Sequence, residues 1–130
     1  MLFRSHKELP QRFDAEFTNN ALKNSLARLQ TDYIDVYGLH NPKLRHIHDD
    51  TIFQTLDGLI GDGKIKTYQV ALGPAIGWTE EGIESMERKN VSAVQTVYNI
   101  LEQTPATSLL KGAQRKMLVY WFVFQMPLEY

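Results

Sequence analysis

The chain contains no cysteine among its 130 residues, which removes disulfide frameworks, thiolate nucleophiles and cysteine-ligated zinc together. An excess of charge of one sign is missing too. The 14 Lys and Arg residues stand against 15 Asp and Glu, for a formal net charge of -1, so no global field draws in nucleic acid or an anionic membrane. Long apolar runs are also lacking: the longest, Met117 to Phe124, is far short of the roughly 20 residues needed to cross a bilayer. The opening M-L-F-R-S-H-K-E-L-P has no apolar core of the kind a secretion signal carries. Together these absences point to a cytoplasmic chain with no nucleic-acid and no membrane partner.

What is present is the composition of one soluble domain with a modest core, at 43% hydrophobic and 22% charged residues. Phe17, Ala21, Leu22, Ser25, Leu26 and Leu29 recur at spacings of three and four, which predicts a helix with one apolar face, with Thr18 as its cap. A strand from Tyr33 to His40 follows; little of it is polar, as for a parallel strand covered on both faces, and Pro42 ends it. Asp49 and Asp50 are placed to start a helix through Ile52, Phe53, Leu56, Leu59 and Ile60, stopped by Gly61 and Gly63.

The pattern then predicts a strand at about Lys66–Leu72, a loop at Gly73, Pro74 and Gly77, and a short helix from Thr79 to Asn90. A third strand at about Ser92–Tyr98 precedes a helix from Pro105 to Lys116 and an apolar strand at Met117–Gln125. Strands alternating with helices argue for right-handed βαβ units and a parallel sheet in one α/β domain, residues 1–130.

Four motifs, in order, carry a resemblance. S-L-A-R-L-Q-T-D-Y-I-D-V-Y-G-L-H (Ser25–His40) is the most specific. L-D-G-L-I-G-D-G-K-I-K (Leu56–Lys66), V-A-L-G-P-A-I-G-W (Val70–Trp78) and S-A-V-Q-T-V-Y-N-I-L-E-Q (Ser92–Gln103) follow it. Over about residues 14–103 the chain resembles the centre of an aldo-keto reductase, a family of (β/α)8 TIM barrels of about 250 residues or more. The resemblance implies a partial (β/α)8 barrel, NADP(H) as cofactor, and a small-molecule carbonyl or alcohol as substrate. Of the family's catalytic tyrosine, lysine, aspartate and histidine, the strand-tip motif makes His40 the histidine, whose N–H would stabilise the negative charge on a reacting carbonyl oxygen. Gln95 matches the residue that holds the nicotinamide carboxamide; without the motif it reads as a satisfied polar residue of a strand.

The chain also departs from the family. Gln69, Val70, Ala71 and Leu72 stand where many members have "gly-val-ser-asn", and the tyrosine and aspartate partners are expected upstream of His40 in a segment not represented here. A one-base shift of frame from Lys116 onward permits N-V-G-I-L-V-R-V-P-D-A-S-G-V, and a shift over Arg4–Glu8 permits V-A-T-K; both resemble family strands. The ends, 1–13 and 117–130, are therefore expected to be frame-shifted parts of a reductase gene.

Other residues have plainer readings. Tyr33 and Tyr37 alternate onto the face opposite His40, which argues against either as a substitute acid. His46, His48, Asp49 and Asp50 could ligate a divalent metal, but read as a solvated loop with helix-capping acids, so no metal site is expected. Gly73 and Gly77 lack the spacing of a phosphate loop and read as turn glycines. The Tyr120–Trp121–Phe122 run reads as a buried or aggregating strand. The expected function is a reductase-family fragment inactive by itself; the alternative is a non-catalytic half-barrel module that self-associates or binds a partner through unpaired strand edges.

Overall fold

In the computed structural model, residues 11–73, 78–88, 90–100, 103–104, 106–116 and 119–123 are described. Helix α1 (Ala15–Leu29) leads into β1 (Ile34–His40), then α2 (Leu44–Ile47), α3 (Asp50–Gly61), β2 (Ile65–Ala71), α4 (Thr79–Met86), β3 (Val91–Val97), α5 (Ala106–Lys116) and β4 (Val119–Val123). The four strands are parallel, and their order in the sheet is their order in the chain. Parallel strands that are neighbours in both sheet and chain, each joined to the next through a helix by a crossover that is right-handed as a rule, make the arc of a singly wound barrel with its helices on one face.

Register fixes which residues share a face. Tyr37, Tyr68 and Val94 take the helix side with Leu39 and Val70; Val36, Gly38 and His40 take the inner side with Thr67, Gln69, Ala71, Ala93 and Gln95. The core lies between sheet and helices, where Leu22, Phe53, Leu56, Tyr68, Val70, Val94 and Leu109 are buried together. Tyr68 shows the fit: its ring lies 6.0 Å from that of Phe53, while its hydroxyl donates to the Asp57 carboxylate at 3.0 Å.

One irregularity decides the geometry of the inner face. Tyr68 pairs with Val91, but Gln69 pairs with Ala93, so Ser92 is an extra residue bulged out of β3, its hydroxyl bonded to the Tyr68 carbonyl at 3.3 Å. Without that bulge Gln95 would share the face of Val91, on the helix side. With it, Gln95 falls on the inner face beside Ala71.

Several expectations are corrected by the structure. Asp14, not Thr18, caps α1: its carboxylate accepts from the Phe17 N–H at 2.9 Å, whereas Thr18 is buried one turn inside and bonds the Phe13 carbonyl. The anticipated apolar stripe is only half covered, with Phe17 and Leu29 exposed. Strand β1 is not covered on both faces: of its seven residues only Leu39, on the helix side, is buried, and among the described residues no strand pairs with its outer edge. The segment read as a loop before Asp49 contains α2. Helix α4 ends at Met86 rather than near Asn90, since Arg88 turns away to the Asp50 carboxylate and the Ile47 carbonyl, and Asn90 reaches Asp57 at 2.8 Å. The position of Pro105, the Pro74–Gly77 loop and the frame-shift readings at Arg4–Glu8, Met117 and beyond Val123 lie outside the described residues.

Candidate functional site

The C-terminal edge of a parallel sheet is where short loops leave polar groups exposed above a rigid support. Here that edge carries a row in register: His40 on β1 beside Ala71 on β2, and Ala71 beside Gln95 on β3. With neighbouring strands about 4.8 Å apart, His40 and Gln95 are separated by about 10 Å along the row. His40 is exposed, and its carbonyl accepts from the Gln11 side chain at 3.2 Å, which ties the chain ahead of α1 to the tip of β1. Beside it runs a groove of about 160 Å³ along β1, lined by Arg12, Phe13, Phe17, Thr18, Tyr37 and His40 among others.

Beneath the row lies a second layer, Gly38, Gln69 and Ala93. The Gln69 amide donates to the Gln95 side-chain oxygen at 3.3 Å. Among the described residues the Gln95 NH2 group has no hydrogen-bond partner, so a donor is left at the edge. At the rim, Asn41 adopts a left-handed backbone (φ 53°) that most side chains avoid and asparagine tolerates; its N–H continues the ladder to the Ala71 carbonyl at 2.7 Å. Its side-chain oxygen is buried and has no hydrogen-bond partner among the described residues.

Above the row, contacts tie together described residues at the ends of β1 and β2 and the start of α4. Lys43 Nζ sits 3.9 Å from the centre of the Trp78 ring, joining the β1 loop to the start of α4. Gly73 lies flush against the same indole: a Cβ there would approach within 2.5 Å of Cε2 and Cζ2.

Of the residues singled out in the sequence, His40 and Gln95 come to the same edge, and the loop histidines and acids do not join them. His46 Nδ1 accepts from the Lys43 N–H at 3.1 Å and its ring packs on Phe13; burial, with Arg45 nearby, lowers its pKa below the ordinary imidazole value. Asp49 caps α3 through the Thr51 hydroxyl and N–H, which hold its carboxyl below the usual range. His48 lies 3.4 Å from Glu84, and Asp50 pairs with Arg88. Among the described residues no group of three or more histidine, aspartate or glutamate side chains is placed to hold a metal ion. Tyr37 is on the helix face, as alternation implied, and burial raises its phenol pKa; Tyr68 is likewise raised by burial and then by Asp57. Sequence reasoning gave Gln69 and Asn41 no role. The signal for Gln69 was an amide in the middle of a strand whose alternate neighbours, Thr67 and Ala71, are small.

Comparison with known proteins agrees with this architecture. The model of the aldo/keto reductase family matches residues 4–126, a wider span than the four motifs. The Bacillus subtilis aldo-keto reductase YhdN is 34% identical over 97 residues, covering 72% of this chain and 27% of that protein. The holo form of the Bacillus halodurans aldo-keto reductase AKR11C1 superposes with a TM-score of 0.74 at 26% identity, over 86% of this chain and 37% of that one. A Klebsiella pneumoniae aldo/keto reductase solved with NADP and acetate gives 0.64 at 25% identity, over 79% and 35%. The chain thus spans about a quarter to a third of the length of these relatives.

Proposed function

The chain belongs to the aldo/keto reductase family, an oxidoreductase family of (β/α)8 barrels, and on that premise we propose that its C-terminal sheet edge is the nicotinamide and carbonyl side of an NADPH-dependent reductase site. The observation that carries the reading is the single inner-face row of His40, Ala71 and Gln95, with the Gln95 NH2 group unpartnered. NADP(H), when bound, would supply or accept the hydride exchanged with a small carbonyl or alcohol. Gln95 suits the carboxamide of that cofactor because its NH2 can donate to an amide oxygen. His40, exposed at the strand tip, would donate to the substrate oxygen and stabilise the charge that develops there. Ala71 and Leu72 add no polar side chain where many members of the family have serine and asparagine, so cofactor hold rests more heavily on Gln95.

A reduced carbonyl oxygen also needs a proton, and general acid catalysis is typically worth about 10²–10⁴-fold. Tyr37 and Tyr68 are on the helix side with raised pKa values, and Tyr68 is bonded to Asp57. We therefore read the chain, in the cytoplasm, as binding and orienting without efficient turnover by itself. Titration by NADPH fluorescence with turnover assays on a panel of aldehydes tests this. Binding that is lost in Gln95→Leu, with negligible turnover, is expected. Clear turnover would overturn the inactivity, and absence of binding would overturn the cofactor reading.

A second reading, a self-associating non-catalytic half-barrel, draws support from the outer edges of β1 and β4, which have no strand partner among the described residues. Sedimentation velocity separates it: a defined oligomer without NADPH binding favours this module.

A further inference from the structure

We propose that His46 is an acid-sensitive latch on the loop that leaves the tip of β1, closed while its imidazole is neutral and released when the ring takes a second proton. The loop starts at Asn41, next to His40, and carries the single turn α2. His46 folds back on that turn: its Nδ1 accepts from the Lys43 N–H at 3.1 Å, a group at the start of α2 that has no acceptor within the helix. An imidazolium donates from both nitrogens and accepts at neither, so protonation breaks this bond outright.

The residues joined by the latch give the break its reach. Lys43 is also the residue whose Nζ lies 3.9 Å from the centre of the Trp78 ring, at the start of α4. The His46 ring packs on Phe13, with centroids 4.8 Å apart and planes at 61°, and Phe13 lines the groove beside His40. One side chain thus connects the approach to α1, the loop after β1 and, through Lys43, the start of α4.

The surrounding charges decide which end of the turn acid frees. Burial opposes a charged ring, as does Arg45 and to a smaller degree Lys43, while Asp49 favours one; the balance holds the pKa below the ordinary imidazole value. The charges on the elements packed around α2 are already engaged. Arg12 pairs with Asp14 ahead of α1, Arg88 after α4 reaches Asp50 and the Ile47 carbonyl, and His48 lies 3.4 Å from Glu84 of α4. The Arg88 and His48 contacts moor the C-terminal end of α2, and a protonated His48 only tightens its own. Acid therefore releases Lys43 at the N-terminal end while the other end stays attached.

An NMR titration of the whole chain from about pH 8 to pH 5, the range in which imidazoles change charge, tests the latch. The Lys43 amide and the Trp78 indole N–H resonances should shift with one midpoint, shared with the His46 ring and lying below about 6.5. His46→Asn carries an amide oxygen on Cγ where histidine carries Nδ1, so it accepts at every pH, and both resonances should stay at their neutral-pH positions. By reciprocity, Trp78→Leu removes what Lys43 holds in the closed state and should move the His46 midpoint upward, toward the ordinary value. A Trp78 resonance that stays still while His46 titrates, or one that shifts equally in His46→Asn, overturns the proposal. So does an unchanged His46 midpoint in Trp78→Leu, or a loss of far-ultraviolet circular dichroism with the same midpoint, which would make the transition global unfolding.

Discussion

Substituting Gly73 by alanine tests how closely its backbone packs on the Trp78 indole. A Cβ at position 73 would stand 2.5 Å from Trp78 Cε2 and Cζ2 and 2.7 Å from Nε1, against the roughly 3.5 Å that carbon atoms prefer. The ring must therefore retreat by about 1 Å. It is rigid and mostly buried, and it carries Lys43 at 3.9 Å. Overpacking of this kind costs about 1–3 kcal/mol, and an indole that cannot fold away puts the cost in the upper half of that range. Loosening the cation–π contact adds about 0.5 kcal/mol. In the other direction, Gly73 does not have a left-handed backbone, so alanine relieves the unfolded chain of some freedom, worth about 0.4–1 kcal/mol. The net expectation is a loss of about 2 kcal/mol, or about 6–10 °C in Tm for a chain of this size. Urea unfolding followed by far-ultraviolet circular dichroism measures it. The same substitution in a Trp78→Leu background should be near neutral, because the flexible side chain can move aside. Equal costs in the two backgrounds, or no cost in the first, refute the reasoning.

Gln30 ends α1 in a left-handed conformation (φ 53°), so Gln30→Gly should stabilise the chain by up to about 1 kcal/mol, read as a higher urea midpoint. Thr96 is buried on the helix side, its hydroxyl without a partner among the described residues; Thr96→Val should raise stability by about 1 kcal/mol in the same assay. His46 has a pKa lowered by burial and then by Arg45, and accepts a hydrogen bond only when neutral. The unfolded chain thus binds this proton more readily. Its contribution is present above the ordinary imidazole pKa and is lost as pH falls through the lower folded value, so stability should decline as pH falls below the ordinary imidazole range. In His46→Ala that part of the decline should vanish; a profile unchanged from wild type would contradict it.

Much of the architecture was legible because it rests on local patterns. The helical spacing from Ile52 to Ile60 buries one face, and burial of apolar side chains is the dominant force that shapes that element, while the strand from Ile34 to His40 was legible from its run of apolar and aromatic residues closed by Pro42. Caps were less legible. Asp14 and Thr18 are both good capping residues, and the choice between them turned on which one met the core. The same holds for the end of α4, where contacts of Arg88 and Asn90 with α3 and its approach compete with further helical turns. Neither competition is visible in a linear pattern.

His40 at the tip of its strand follows from the sequence alone, since strand length and Pro42 put it there whatever surrounds it. The facing of Gln95 does not. Counting by twos from Val91 assigns it to the helix side, and only the extra residue at Ser92, stabilised by pairing with β2 across the sheet, moves it to the row of His40. The Gln69–Gln95 bond depends on that same shift, together with the absence of a side chain at Gly38 on the neighbouring strand. Residue types and strand order are properties of the chain. Which amide meets which across three strands is a property of register, and register is set by long-range pairing.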